Sequence, residues 1–355
     1  MSSAASLHLQ ADAPRPEARR PAEARGLARD QVRMLVASPG RLGHDRVRDL
    51  PGALEPGDLL VVNTSATLPA ALDAVRVDGR RVPLHVGGEL DDGRWVVELR
   101  RGDQSGPARD GHRGERLAVG SGVVLVLDEP YPDVDEHQPR LWAARTDRPV
   151  SRLEHLWHHG RAISYSYLEG AWPLSDRQTV FATEPGSAEM PSAGRPLPER
   201  LVVDLVSQGV VLAPVTLHCG LSSPEVHELP APERFRVPAV TARLVNQARA
   251  AGGRIVAVGT TVVRALESAL ADTEDVRVVA AGGWTDLVLG PERPARVVNG
   301  LLTGLHDPQA SHLLLLEAVA GAGLVNAAYA ELAGARPDGH PYLWHEFGDT
   351  TLLLP

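Results

Sequence analysis

The chain has 355 residues, 36 basic against 45 acidic side chains for a formal net charge of −9, and 43% hydrophobic residues. No lysine occurs, which excludes Schiff-base catalysis, pyridoxal-phosphate anchoring and a phosphate-loop lysine, all of which need an ε-amine. The single cysteine, Cys219, excludes an internal disulfide, a CxxC redox pair and a cysteine-rich zinc site, and it suits a reducing, cytoplasmic compartment.

This length predicts roughly two domains. Apolar stretches are interrupted, by Glu317 after Leu313–Leu316 and by Asp204, Ser207 and Gln208 within Leu201–Leu217. None reaches the roughly 20 residues a bilayer requires, and no apolar signal region follows the first residues. A soluble cytoplasmic protein without a membrane segment is expected. The acidic balance argues against a general nucleic-acid coat but leaves room for RNA to dock on a local arginine face.

Taken in order, residues 1–29 are rich in Ala, Arg, Pro and Glu without a sustained period, which predicts a poorly ordered leader. Val32–Val36 alternates apolar and polar like a strand. Pro56-Gly57-Asp58 marks a turn, and Leu59–Val62 reads as a buried strand ending in the polar cluster Asn63-Thr64-Ser65. From Ala70 to Arg145 short alternating runs at 81–86, 94–99, 123–127 and 141–144 are separated by Gly- and Asp-rich turns. That spacing predicts a small antiparallel β-barrel inserted into a larger domain. After Leu153 the pattern turns α/β. Helices are expected at 200–207, 239–251, 261–270 and 311–321, and strands at 210–216, 254–258 and 352–354. The expected division is a leader at 1–29, an α/β main domain at 30–68 and 148–355, and an inserted β-barrel domain at 69–147.

The most informative local run is Arg254–Glu267, where a buried strand ends at Gly259 and Thr260-Thr261 opens an amphipathic helix. Free N–H groups and two hydroxyls at a helix start can accept a carboxylate or phosphate; equally, either threonine can simply cap the helix. His218 closes a strand before Cys219-Gly220, and His306 sits in a loop ahead of a helix. In the tail, His345, Glu346 and Asp349 stand among aromatics. His155, His158 and His159 lack partner acids and HExxH spacing, so they read as a solvated helix face and no metal site is expected. A GxSxG elbow is absent, and Cys219 has no basic neighbour to mark it as a nucleophile.

Together these segments resemble the S-adenosylmethionine:tRNA ribosyltransferase-isomerase family of queuosine biosynthesis. The run AVGTT-x-x-R-x-LE at Ala257–Glu267 carries the resemblance most closely. It is joined in order by PGDLLVVN (56–63), RQTVFA (177–182), PSAG (191–194), VTLHCG (215–220), GWTDL (283–287), NGLLTGLHDP (299–308) and FGD (347–349). The resemblance implies an α/β domain with an inserted β-barrel. It also implies transfer and isomerisation of the ribosyl unit of S-adenosylmethionine onto a 7-aminomethyl-7-deazaguanine in tRNA, releasing adenine and methionine, with no metal or organic cofactor. That reaction needs a base for the carbon next to the sulfonium, a role for His218 or His306. It needs a proton or hydrogen bond for the departing adenine, a role for Asp286, Glu346 or Asp349. The methionine carboxylate suits Thr260 and Thr261 with Arg264 nearby, and Trp284 can stack on adenine. Gly259, Thr285, Gln178 and Asn63 complete the expected S-adenosylmethionine set, and a monomer is expected.

Some family positions differ. Asn63 is followed by Thr64-Ser65-Ala66 where familiar members have Asp-Thr-Arg, and Pro69-Ala70-Ala71 replaces Pro-Ala-Arg. Ala193-Gly194-Arg195-Pro196-Leu197 replaces Ala-Gly-Leu-His-Phe. Two further readings therefore stand beside the tRNA enzyme: a paralogue applying the same chemistry to a small molecule or as a lyase, and a non-catalytic S-adenosylmethionine-binding protein.

Overall fold

The computed structural model describes residues 15–133, 137–222, 230–271, 275–307, 312–334 and 339–355. The first fourteen residues of the expected leader, Pro308 and the expected helix start at Ser311 lie outside them.

The first strands are β1 (Arg33–Ser38), β2 (Arg41–Arg46), β3 (Leu59–Asn63) and β4 (Ser65–Thr67). Then follow β5 (Ala71–Arg76), β6 (Arg81–Glu89), β7 (Trp95–Leu99), β8 (Arg116–Ala118), β9 (Val124–Tyr131) and β10 (Leu141–Thr146). These six close into a barrel in the order β10-β7-β6-β5-β8-β9. Its interior is filled by side chains such as Leu84, Trp95, Leu99, Leu117 and Leu125, as a barrel this small requires.

Helix α1 (Arg152–His159) packs beside the barrel, and β11 (Glu184–Ser187) pairs in parallel with β4. The remainder alternates: α2 (Glu199–Ser207), β12 (Val211–Leu217), β13 (Glu233–Val237), α3 (Ala239–Ala250), β14 (Ile255–Val258), α4 (Thr260–Ser268), β15 (Ala281–Thr285), β16 (Gly300–Gly304), α5 (His312–Ala320), α6 (Ala322–Ala333) and β17 (Thr350–Leu353). A nine-stranded sheet runs β15-β13-β12-β3-β14-β16-β17-β1-β2. Its centre, β12-β3-β14-β16, is parallel throughout.

The central strands are apolar because both faces are covered. Leu59 and Val61 of β3 face a core shared with α3 to α6, whereas Leu60 and Val62 face one shared with α2 and Ala22. At the start of β3 the Asp58 carboxylate accepts hydrogen bonds from the Arg254 backbone N–H (3.0 Å) and its Nε (2.9 Å), fixing the β3–β14 register. All four parallel strands therefore end together, at Asn63, Leu217, Val258 and Gly304. Ligands of open α/β sheets bind at that edge.

Two expectations are corrected. The segment from residue 15 to 29 is packed, not a disordered leader. Ala18 and Ala22 are fully buried, Ala18 N–H donates to the Trp344 carbonyl (3.0 Å), and Arg25 donates to the Phe347 carbonyl (2.9 Å). Contacts with the far end of the chain order it, and these leave no local period. His155 is likewise buried against Trp95 of the barrel, with Nε2 2.9 Å from the Val119 carbonyl oxygen, so that helix face is only partly solvated.

Gly160 closes α1 where the chain leaves the barrel, and a Cβ there would lie 1.8 Å from the Pro69 carbonyl oxygen. Gly160→Ala is expected to destabilise the fold by about 1–3 kcal/mol. A thermal melt should show Tm falling by several degrees, and an unchanged Tm would contradict this close approach.

Candidate active site

The carboxyl edge of the parallel strands is organised by Asn63. Its buried amide is fully used. Oδ1 accepts from the backbone N–H groups of Ser65 and Leu217 (3.0 Å each), and Nδ2 donates to the Leu217 carbonyl (2.8 Å) and to Thr261 Oγ1 (3.2 Å). One side chain thus ties together the end of β3, the end of β12 and the start of α4. Asn63 acts as a strut, with no capacity left over for a ligand.

Beyond Leu217, His218 Nδ1 lies 2.7 Å from Ser65 Oγ, and Ser65 Oγ lies 2.6 Å from Ser187 Oγ. Ser187 Oγ also accepts the Cys219 N–H (2.9 Å). A Cβ on Gly186 would come within 2.2–2.6 Å of the His218 ring, so only glycine lets β11 lie flat against the imidazole. Burial, followed by the nearby Arg152 and Arg234, lowers His218 to about 4, with Arg236 adding to this and Glu184 opposing it. The ring is uncharged at neutral pH.

His218 forms one wall of a cleft between the barrel and the β12-β13-β15 edge of the sheet. Arg152, at the start of α1, forms another wall. Its side chain is only 11% exposed; Nε forms an ion pair with Glu89 at 3.4 Å, and Nη1 has no hydrogen-bond partner. Glu233 lines the cleft too; it accepts the Gly220 N–H (2.8 Å) and pairs with Arg264, and burial raises its carboxyl despite that pairing. Trp284 presents a partly exposed ring. Its Nε1 donates to Asp91 of the barrel (2.9 Å), and the Arg234 guanidinium lies 5.4 Å from the ring centre.

Several expected residues are placed elsewhere. The Arg264 guanidinium is spent on Glu233, the Leu287 carbonyl (3.1 Å) and the Thr285 carbonyl (3.0 Å), so it offers no free charge to a carboxylate. Thr285 is buried, with Oγ1 2.6 Å from Ser268 Oγ, and Asp286 is exposed outside the cleft. Thr260 and Thr261 do not cap α4; Gly259 is the N-cap, at φ 94°, and no side chain caps the turn. Gly259, Thr260 and Thr261 do not line the cleft, and Thr261 Oγ1 accepts from Asn63 Nδ2. Gln178 exchanges two hydrogen bonds with the Thr67 backbone (3.0 and 2.7 Å), acting as an extra rung beside β4.

His306 is apart from His218, stacked 4.8 Å from His312 with Nε2 2.9 Å from Thr303 Oγ1, and burial lowers it to about 3. Asp349 accepts the backbone N–H groups of Arg33 and Leu343 (2.8 Å each), latching the tail to β1. Glu346 is held by Arg177 (2.7 and 2.8 Å) beneath Tyr167, and burial raises its carboxyl. Of the residues expected to act as base or acid, only His218 lines the cleft. Sequence reading missed Arg152, Ser187, Gly186 and Glu233. Arg152 carries no signal besides a helix start; Ser187 pairs with Ser65 122 residues away and Cys219 32 away, and Glu233 with Arg264 31 away.

The chain matches the sequence model of the family described as queuosine biosynthesis protein over residues 13–353. It is 37% identical over 340 residues to an S-adenosylmethionine:tRNA ribosyltransferase-isomerase of Thermus thermophilus, covering 92% of this chain and 93% of that one. A relative of the same name from Anaeromyxobacter dehalogenans is 36% identical over 347 residues, again covering 92% and 93%. A crystal structure of an S-adenosylmethionine tRNA ribosyltransferase from Thermotoga maritima aligns with TM-score 0.50 and 27% identity, over 96% of this chain and 98% of that one.

His85, His218 and His306 are held near 3, 4 and 3, and in each case burial is the largest cause. In the unfolded chain these rings take protons near the ordinary value of about 6.5. Folded pKa values below unfolded ones mean that stability is unaffected above about pH 7 and falls as pH drops through 6.5 toward the folded values. Denaturant unfolding between about pH 7.5 and pH 5 should show this decline, and His306→Gln should make it shallower. A flat profile would contradict it.

Proposed function

The chain belongs to the queuosine biosynthesis protein family and is an S-adenosylmethionine-dependent transferase-isomerase; we propose that S-adenosylmethionine binds in the cleft between the barrel and the sheet edge. The observation that carries this reading is the buried Arg152 guanidinium in the cleft wall, which meets Glu89 through Nε (3.4 Å) while its Nη1 has no hydrogen-bond partner. A buried cation with open donors calls for an anion, and a carboxylate matches guanidinium geometry with paired charge-assisted hydrogen bonds. The methionine carboxylate therefore goes to Arg152, in place of the Arg264 and helix-start arrangement expected from sequence. Trp284 and Tyr131 supply aromatic surface for the adenine. Glu233 supplies the negative side of the cleft, favourable to the sulfonium.

The acceptor on this reading is a 7-aminomethyl-7-deazaguanine in tRNA, and the ribosyl unit is transferred and isomerised as adenine and methionine leave. Arginines expected by family resemblance at positions 66 and 71 are alanines here. Arg234 at the cleft and Arg236 beside it on β13 have side chains 53% and 57% exposed, and each is ion-paired, with Asp91 and with Glu184 (3.3 Å) respectively. These form the arginine face on which the tRNA would dock, and its phosphate contacts would make binding weaken with salt. The reaction takes S-adenosylmethionine as substrate and calls on no further cofactor. No helix among the described residues is long and apolar enough to cross a membrane.

Titration calorimetry of the wild type and Arg152→Met with S-adenosylmethionine tests the placement. Loss of a charge-assisted carboxylate contact should weaken binding roughly 10- to 100-fold, with the melting temperature retained. Equal affinities would overturn it. Incubation with tRNA bearing the aminomethyl base, followed by mass analysis of the nucleosides, tests the acceptor.

A further inference from the structure

The Ser187–Ser65–His218 chain has a direction, fixed by counting protons. Ser65 and Ser187 are 1% and 0% exposed, so solvent cannot complete their hydrogen bonds. Among the described residues, the partners of Ser187 Oγ are the Cys219 N–H, which must donate, and Ser65 Oγ. The partners of Ser65 Oγ are Ser187 Oγ and His218 Nδ1. If His218 Nδ1 carried the hydrogen and donated to Ser65, Ser65 would have to donate to Ser187. The Ser187 hydroxyl would then be left with a buried hydrogen and no acceptor. If both neighbours donated to Ser65, the orphan would be on Ser65. A single arrangement satisfies every group: Ser187 O–H donates to Ser65 Oγ, and Ser65 O–H donates to His218 Nδ1.

The structure assigns His218 as a neutral hydrogen-bond donor whose Nε2–H faces the cleft, with Ser65 and Ser187 as positioning residues that fix the tautomer. This inference rests on the S-adenosylmethionine reading of the cleft and sharpens it. A ring with Nδ1 accepting from Ser65 and Nε2 already protonated cannot take a proton from the substrate, so His218 is not the base for the carbon beside the sulfonium. It donates instead to an acceptor of the bound nucleoside, on the side where negative charge develops as adenine departs. The surroundings support the uncharged form. Arg152, Arg234 and Arg236 disfavour a proton there, Glu184 alone opposes them, and the ring lies between Gly186 and the β12 end. Neutral imidazole acting as an electrophile is an established device when a ring is kept from charging.

Long-range ¹H–¹⁵N correlation spectra of histidine-labelled protein, without ligand, read the tautomer directly, and His218→Gln identifies the signal by its loss. The expected result is an Nε2–H neutral ring at neutral pH; an Nδ1–H ring, or a cation, overturns the inference. Ser187→Ala frees Ser65 to point either way, so the His218 signal should become a mixture of tautomers, with kcat reduced and KM for S-adenosylmethionine nearly unchanged. A purely packing role for Ser187 would leave the tautomer as it is, and that result counts against the inference. In kinetics, His218→Ala should lose about 100-fold or more in kcat, the scale of a lost transition-state donor. His218→Gln, which keeps an N–H near the same position, should lose no more than about a tenth of that factor. Equal losses overturn the donor role. Failure of S-adenosylmethionine to bind in calorimetry would strike the cleft reading alone, since the tautomer is read in the free protein.

Discussion

The geometry of the functional edge depends on a single buried amide. A parallel sheet leaves the ends of its strands without mutual hydrogen bonds, and each end must find a partner or face water. Asn63 meets that demand for three elements at once, using both lone pairs and both N–H groups in a site 4% exposed. Because its Oδ1 receives the Ser65 N–H and the Leu217 N–H, the hydroxyl of Ser65 and the ring of His218 are brought within 2.7 Å. An amide is suited to this work where a carboxylate is not. It donates and accepts in equal number, and it adds no charge beside a histidine that must stay neutral.

The barrel contributes the other half of the cleft, and its own interior shows how tightly it is built. Glu98 is 2% exposed, yet it is held by Arg100 (2.9 Å) and Arg140 (2.7 Å), and Arg140 also reaches the Leu221 carbonyl at the cleft. Buried ions paired this way add little net stability over apolar packing, but removing one partner is costly, which makes the arrangement rigid in register. The irregularity between Val86 and Gly88 of β6 opens the barrel wall where Leu221 packs 3.1 Å from an ideal Cβ on Gly87. Asp91 then pins the hairpin to Trp284 and Arg234 of the sheet edge. The cleft is therefore a junction between two cores, and Arg152, paired there with Glu89, keeps its Nη1 without a hydrogen-bond partner.

What the sequence made legible follows from the range of the forces involved. Strands buried on both faces, such as β3 and β14, announce themselves as unbroken apolar runs, and the barrel strands by alternation between turn signals. β13 and β15 carry arginines, glycines and exposed positions because they form the sheet edge, so their pattern is weak. The packed segment at 15–29 and the tail at 340–349 hold each other across more than 300 residues, and neither has a period of its own. At the site, the end-of-strand histidine and the glycine-threonine helix start were visible as local motifs. The employment of Arg264 by Glu233, and of Gln178 by Thr67, was not, since spacing in sequence says nothing about which neighbour arrives first in space.

On the proposed reading the methionine carboxylate would go to Arg152, which Glu89 already neutralises in part, and Glu233, paired with Arg264 and raised by burial, lines the same cleft. Burial, followed by Arg152 and Arg234, lowers His218 to about 4, so a cationic ligand would meet no imidazolium there. A histidine that had to serve as base would instead be placed beside a carboxylate to raise its proton affinity. Here the charged groups nearest the ring are mostly arginines, with Glu184 the exception, and its Nδ1 is committed to a serine; both features serve a donor and work against a base.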